Sequence, residues 1–379
     1  MNIENAEGSL LALMQQVSEN SSRKIDYTAP TKDLQISTRV TDGDRPNESQ
    51  VIIEASDGEP TKILTANDVA LQQIASKSEI DIRTVRRLRD HYPAELDSVV
   101  NAIWDKENKG VMLRTFVDKD DSDKGVLRAF TSSSYKVFDN EDVLTNTLPQ
   151  LMNSKANWQV VNGTLTDQRM YLRLKSQNQV AEPAVGDAMA NGLLISNSEV
   201  GLGSVNIQQL IYTLICKNGM TTANKSRSTH VTSSRGTGSW SILTDEAKSA
   251  DNQALSLKLR DVVGHFADRT TFDETIEQMR IAHTEKVTGA LPAAIDTLCG
   301  ILKLPKGDNP KVLAGLMSTL QQAGYNQGQA PSRATFVNAV TAVGNQATTL
   351  EDNKQDWMRL GGKVLNLSPN QWHSVAVAA

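Results

Sequence analysis

Apolar positions along the chain follow two different periods, and the switches between them mark out its parts. The first sixty residues hold one apolar patch at helical spacing, Leu10, Leu11, Leu13, Met14 and Val17, and one alternating piece, Val51-Ile52-Ile53, among polar residues and Pro30, Pro46 and Pro60. That pattern predicts a small helix, one strand and an otherwise partly mobile arm. Between positions 65 and 92, Val69, Ala70, Ile74, Ile80, Ile82, Val85 and Leu88 keep a helical period that breaks near 76–81, as two short helices would. Leu96, Val99, Val100 and Ile103 stand at i, i+3, i+4 and i+7 and predict a third helix.

After Lys109-Gly110 the period becomes that of strands. Residues 111–117 and 126–131 flank a charged turn and read as a hairpin. Asp139 or Asn140 caps a helix carrying Val143, Leu144, Leu148 and Leu151, with acidic residues in its first turn as the helix dipole prefers. Residues 158–161, a turn around Asn162-Gly163 and the alternating residues 170–175 predict a second hairpin. Ile207, Leu210, Ile211, Leu214 and Ile215 return to helical spacing and stop at Gly219. Beyond Asp245 only helical patterns remain, over about 245–264, 273–287, 291–303, 310–324, 333–348 and 351–365, punctuated by Pro292, Pro310 and Gly324. The expected fold is α+β: an antiparallel sheet of hairpins with packed helices, followed by an all-α C-terminal part. Three regions are expected, an acidic arm over 1–60, an α+β core over 61–244 and a helical region over 245–379.

With 379 residues, 39% of them apolar, the chain can bury a sizeable core. No stretch approaches the roughly 20 apolar residues of a membrane span. Met1-Asn2-Ile3-Glu4-Asn5 lacks the basic start and apolar run of a secretory signal, so a cytoplasmic location is expected. Cys216 and Cys299 make no disulfide framework and read as reduced core thiols.

The formal net charge of -5 hides an uneven distribution. Residues 1–60 hold five basic residues, Arg23, Lys24, Lys32, Arg39 and Arg45, against eleven Asp and Glu. Residues 200–244 contain no Asp or Glu at all, yet carry Lys217, Lys225, Arg227, Arg235 and His230 among Ser, Thr, Asn and Gly. Those are residue types that supply phosphate contacts, although a solvated polar loop would have the same composition.

The five histidines, His91, His230, His265, His283 and His373, show no three- or four-residue spacing, so no helical metal pair is offered. A nucleophile elbow and a phosphate-binding P-loop are absent, and Gly201-Leu202-Gly203 lacks the third glycine of a dinucleotide fingerprint. No catalytic constellation, metal or cofactor is therefore expected. Residues 71–89 resemble a helix-turn-helix with a basic second helix, in which Arg83, Arg86, Arg87 and Arg89 fall within seven positions; the turn lacks the usual glycine.

Several ordered blocks also resemble one known family. They are Leu71-Gln72-Gln73-Ile74-Ala75, then Ile80 to Arg89 with Tyr92-Pro93, and Val99-Val100-Asn101-Ala102-Ile103-Trp104. Further blocks are Met112-Leu113-Arg114-Thr115-Phe116, the run from Leu127 to Asn140, Ser196-Asn197-Ser198-Glu199-Val200-Gly201 and Leu214 to Met220. Near the end come Thr335-Phe336-Val337-Asn338-Ala339-Val340-Thr341 and the tail from Gly361-Gly362 to Trp372. Together they look like the phage/plasmid-like family defined by domain of unknown function 932, over about residues 60–375. Asp81 departs from the proline often found there, which loosens the fit of the second helix. The resemblance implies a mobile-element setting and assigns no activity.

The leading functional expectation is a phage- or plasmid-encoded nucleic-acid-handling protein that binds single-stranded DNA, with strand annealing in recombination as its activity, working as a homo-oligomer. Arg83, Arg86, Arg87, Arg89, Lys217, Lys225, Arg227 and Arg235 are the expected phosphate contacts, and Tyr135, Tyr171 and Trp240 the expected base-stacking residues. The acidic arm is expected to compete with nucleic acid, so that deleting residues 1–60 would tighten binding. The alternative is a mobile-element protein that binds a host factor, for example in counter-defence, with no nucleic-acid affinity. An enzyme with a dispersed site is a third reading.

Overall fold

The computed structural model describes residues 10–43, 45–55, 60–213, 218–221, 229–231, 244–322, 330–345 and 351–379. Two sheets organise them. The first contains β1 (Lys24–Pro30), β2 (Leu34–Arg39), β3 (Glu48–Ile53), β4 (Lys62–Ala66), β5 (Gly110–Val117) and β6 (Lys124–Ser132), in the order β1-β5-β6-β4-β3-β2. Its neighbours are antiparallel except β4 and β6, which run parallel because α2 (Asp68–Lys77), α3 (Ile82–His91), α4 (Pro93–Glu107) and β5 intervene between them. The three helices cover the sheet, so that Leu71, Ile74, Val85, Leu96 and Val100 pack with Leu34, Ile36, Val51, Leu64, Leu113 and Leu127. Trp104 stacks on Phe130 with ring centroids 5.3 Å apart.

The arm expected over residues 1–60 is corrected by this sheet, since β1, β2 and β3 are three of its six strands. In β2, Leu34 and Ile36 are buried while Gln35 is exposed, an alternation too short to stand out among polar neighbours. Edge strands expose unpaired amides, and here α4 covers them. The Asn101 side chain accepts from the Ile36 amide at 2.8 Å and donates to its carbonyl at 3.0 Å, while Asp97 accepts from the Thr38 amide at 2.8 Å.

The second sheet contains β7 (Trp158–Leu165), β8 (Met170–Ala181), β9 (Met189–Asn197), β10 (Val205–Thr213) and β11 (Asn218–Thr221), in the order β11-β10-β9-β8-β7, and β12 (Thr229–Val231) also pairs with β10. Every pairing in it is antiparallel. The helix expected from Ile207 to Ile215 is instead β10 over its described part. All nine residues of that strand are buried, so helical spacing there reflects apolar residues on both faces rather than one stripe. The turn expected at Asn162-Gly163 also moves. Those residues stay inside β7 beside a register shift between Val160 and Asn162, and the reversal comes at 166–169, where the Thr166 amide donates to the Arg169 carbonyl at 2.9 Å.

Helices α1 (Leu10–Ser22), α5 (Asn140–Asn153) and α6 (Asp245–Ala267) pack on this sheet through Leu13, Leu144, Leu151, Leu259 and Phe266 against Trp158, Leu172, Leu174, Leu193 and Ile207. The remaining helices are α7 (Arg269–Thr284), α8 (Leu291–Leu302), α9 (Asn309–Gln322), α10 (Arg333–Gly344), α11 (Glu351–Leu365) and α12 (Pro369–Ala376). Their core, with Phe272, Leu298, Leu316, Phe336 and Trp372, includes Met189, Ile211 and Met220 of the sheet, while Met358 of α11 packs with Tyr171, Leu194 and Leu210. The boundary at 244/245 thus separates element types, yet packing runs across it. Among the described residues no helix is long and apolar enough to cross a membrane.

Candidate nucleic-acid interface and polar cleft

α2 and α3 form a tight pair joined by Ser78, Glu79, Ile80 and Asp81. The Asn67 side chain accepts from the Ala70 amide to start α2, and Asp81 accepts from the Arg83 amide to start α3, both at 2.9 Å. Between them Glu79 adopts φ 57°, the left-handed conformation that glycine takes most easily. The Ile80 amide then donates back to the Ala75 carbonyl at 2.9 Å. Val85 is fully buried and Ile82 and Leu88 partly so, which turns the opposite face of α3 outward.

On that face Arg83, Thr84 and Arg87 are exposed. Arg86 is held by Asp68 with both oxygens within 2.9 Å, and Arg89 by Asp90 at 2.8 and 3.0 Å. The Arg89 hydrogen bond keeps the Asp90 carboxyl below the usual range. Of the four arginines singled out in sequence, Arg83 and Arg87 have no carboxylate partner among the described residues.

Lys217, Lys225, Arg227, Arg235 and Trp240 lie outside the described residues. Tyr171 is 1% exposed in the core of the second sheet, with Arg173 5.5 Å from its ring centroid, so no face is open for a base. Tyr135 is half-buried, and its hydroxyl donates to the Ser198 carbonyl at 3.3 Å. Burial pushes its phenol up, and Arg114 stands 6.0 Å from the ring. Tyr171 thus presents no stacking surface in this fold, while the ring of Tyr135 stays partly exposed. Cys299 is buried and its thiol is pushed up to about 11, first by burial and then by Asp296 and Asp308; Cys216 lies outside the described residues.

A second cluster joins the two sheets and was not singled out from sequence. Glu199, 4% exposed, follows β9 and receives Lys24 of β1 at 2.6 Å, Arg128 of β6 at 2.6 Å and the Asn140 amide of α5 at 2.8 Å. Arg114 of β5 donates to the Glu199 carbonyl at 2.7 Å and pairs with Asp139 at 2.8 Å and Asp26 at 3.1 Å. Burial alone would lower the Arg114 guanidinium, and the two carboxylates outweigh it and raise it. The Gln73 side chain of α2 reaches the Val200 carbonyl at 2.7 Å and accepts from the Phe130 amide at 2.7 Å. Arg128 also lies 3.9 Å from the Phe116 ring centroid.

Beside this cluster opens a polar cleft of about 380 Å³, whose walls include Gln16, Asn67, Arg128, Gln168, Arg169 and Glu199. Its wall includes Asn67, next in the chain to Asp68, the partner of Arg86, so the cleft reaches the start of α2. Apart from Lys24 and Asp26 of β1, the residues of the cluster sit in the sequence blocks at 71–75, 112–116, 127–140 and 196–201. The signal that could have found them was therefore present as separate motifs, without their meeting point.

Residues 129–257 match the family model described as domain of unknown function (DUF932). The chain carries a DUF932 domain. The match runs from the end of β6 through α5 and the second sheet into α6, narrower than the span of the resembling blocks. Glu199, Tyr135, Asp139 and Asn140 lie inside the DUF932 domain, whereas α2, α3, Lys24, Arg114 and Arg128 precede it. No curated protein and no solved structure matches the chain.

Proposed function

We propose that this DUF932 protein handles nucleic acid, holding a phosphate backbone on the outer face of α3, in the cytoplasm of an infected or plasmid-bearing bacterial cell. The observation that carries the reading is the pair Arg83 and Arg87, exposed and without carboxylate partners among the described residues, on a helix whose other arginines are already bound to Asp68 and Asp90. Two cations one helical turn apart suit adjacent phosphates better than they suit any interior role. The acid-free composition of residues 200–244, whose Lys217, Lys225, Arg227 and Arg235 lie outside the described residues, is in keeping with this reading, and strand annealing by an oligomer stays within the proposal.

The test is fluorescence anisotropy of labelled single-stranded and duplex oligonucleotides at two salt concentrations. Salt-sensitive binding is expected, and replacing both Arg83 and Arg87 with Ala should lower the salt slope by roughly two. No binding at low salt would overturn the proposal and favour a host-protein partner.

A further inference from the structure

We infer that α2, the turn and α3 form a working helix-turn-helix that seats α3 in the major groove of duplex DNA, an inference that rests on the nucleic-acid reading above. The missing glycine spoke against such a unit in the sequence. The fold removes that objection, because Glu79 itself takes the left-handed conformation at φ 57°. The rest of the unit follows from burial. Ile74, Ala75 and Val85 are buried and Ile80 and Leu88 partly so, a small core that sets α3 against α2, with α4 packed behind. Asp81 caps the first turn of α3, so that Arg83 lies in the helix's opening turn and Arg87 one turn later on the same exposed face.

The choice of duplex follows from shape. A helix with its side chains is about 10–12 Å across and the major groove about 12 Å wide. Flexible single strands need a groove with aromatic platforms. From Arg83 to Arg87 the exposed face carries no aromatic side chain, Tyr171 is buried, Tyr135 is half-buried, and the exposed Tyr92 lies beyond the far end of α3. On sequences without a site Arg83 and Arg87 hold phosphates, as above; at a site, arginines in the first turns of such a helix reach base edges instead, and their planar forks pair with guanine through two hydrogen bonds. Guanine-containing sites are therefore the expected target.

The experiment selects binding sites from a random duplex library with the full chain. Anisotropy then compares the selected duplex, a scrambled duplex and the selected strand alone, for the parent, R83A/R87A and R83K/R87K. Circular dichroism checks each fold, which these exposed positions should leave intact. The expected result is a guanine-containing selected site whose duplex outcompetes its single strand. R83K/R87K should keep the affinity for scrambled duplex, since charge is retained, and lose about tenfold or more of the preference for the selected one. An absence of any enriched sequence, or single strand outcompeting duplex, would overturn the helix-turn-helix while leaving phosphate binding by α3 in place. Parental binding of every probe by R83A/R87A would overturn both.

Discussion

At the residue scale the most demanding position is Glu199. Burial pushes its carboxyl up, but Arg128 and Lys24 beside it, with hydrogen bonds from Lys24 and the Asn140 amide, outweigh burial and hold it at about 2. The folded value lies below the ordinary 4.5 that the unfolded chain keeps, so this stabilisation is complete above that range. It is lost as pH falls from about 4.5 through about 2. Glu199→Gln should flatten acid unfolding in that window. At neutral pH it should cost about 3–5 kcal/mol, because Arg128 stays buried opposite an uncharged amide and Lys24 keeps only Asp139, at 3.3 Å. Urea unfolding at pH 7 and pH 3 checks both effects; equal pH dependence in the parent and the variant would show that Glu199 is not the group responsible. None of this was legible as a site in the sequence. Lys24 and Glu199 are 175 positions apart, and no spacing rule connects them. The α3 arginines were legible because four cations crowd one helical segment, whereas their division into two bound and two without a carboxylate partner among the described residues needed Asp68 from the preceding helix.

At the scale of elements, the edge of the first sheet makes a second prediction. The Asn101 side chain serves both the amide and the carbonyl of Ile36, so α4 takes the place of a seventh strand. Asn101→Ala leaves both groups without that partner and should destabilise the protein by about 1–3 kcal/mol. Faster amide hydrogen exchange at Ile36 and Thr38 is expected in native conditions; unchanged exchange would mean that solvent or another group satisfies the edge. The sequence block around Asn101 and Trp104 thus corresponds to an edge cap and to a ring stacked on Phe130. Helices were read more reliably than strands for a local reason. Repeated turns of α7, α8 and α9 keep an apolar stripe that neighbouring residues alone define, while β10 is buried on both faces and has no solvent-exposed side to alternate. Asn162-Gly163 carried a turn signal, but the fold uses it beside a register shift, and Thr166 supplies the reversal.

At the scale of the whole molecule, the acidic N-terminal region changes meaning. Its negative excess suggested an arm that competes with nucleic acid, and deletion of residues 1–60 would then tighten binding. In the fold that deletion removes α1 and β1 to β3, along with Lys24 from the Glu199 cluster. The truncated chain should therefore fail to fold, with loss of cooperative thermal unfolding and of solubility. A soluble, cooperatively melting product with tighter DNA binding would restore the competing-arm reading. Local pattern was enough for the helical C-terminal region, the three helices before the first hairpin and the basic face of α3, which depend on residues within a turn or two of one another, and for that hairpin, whose strands are joined by a short charged turn. Only the tertiary structure decided that the opening segment completes a sheet, that β10 is a strand, that Glu79 can stand where glycine was missed, and that distant charges meet at Glu199. Strand pairing and the burial of charge depend on partners that the rest of the chain supplies, and no local period records where those partners will be.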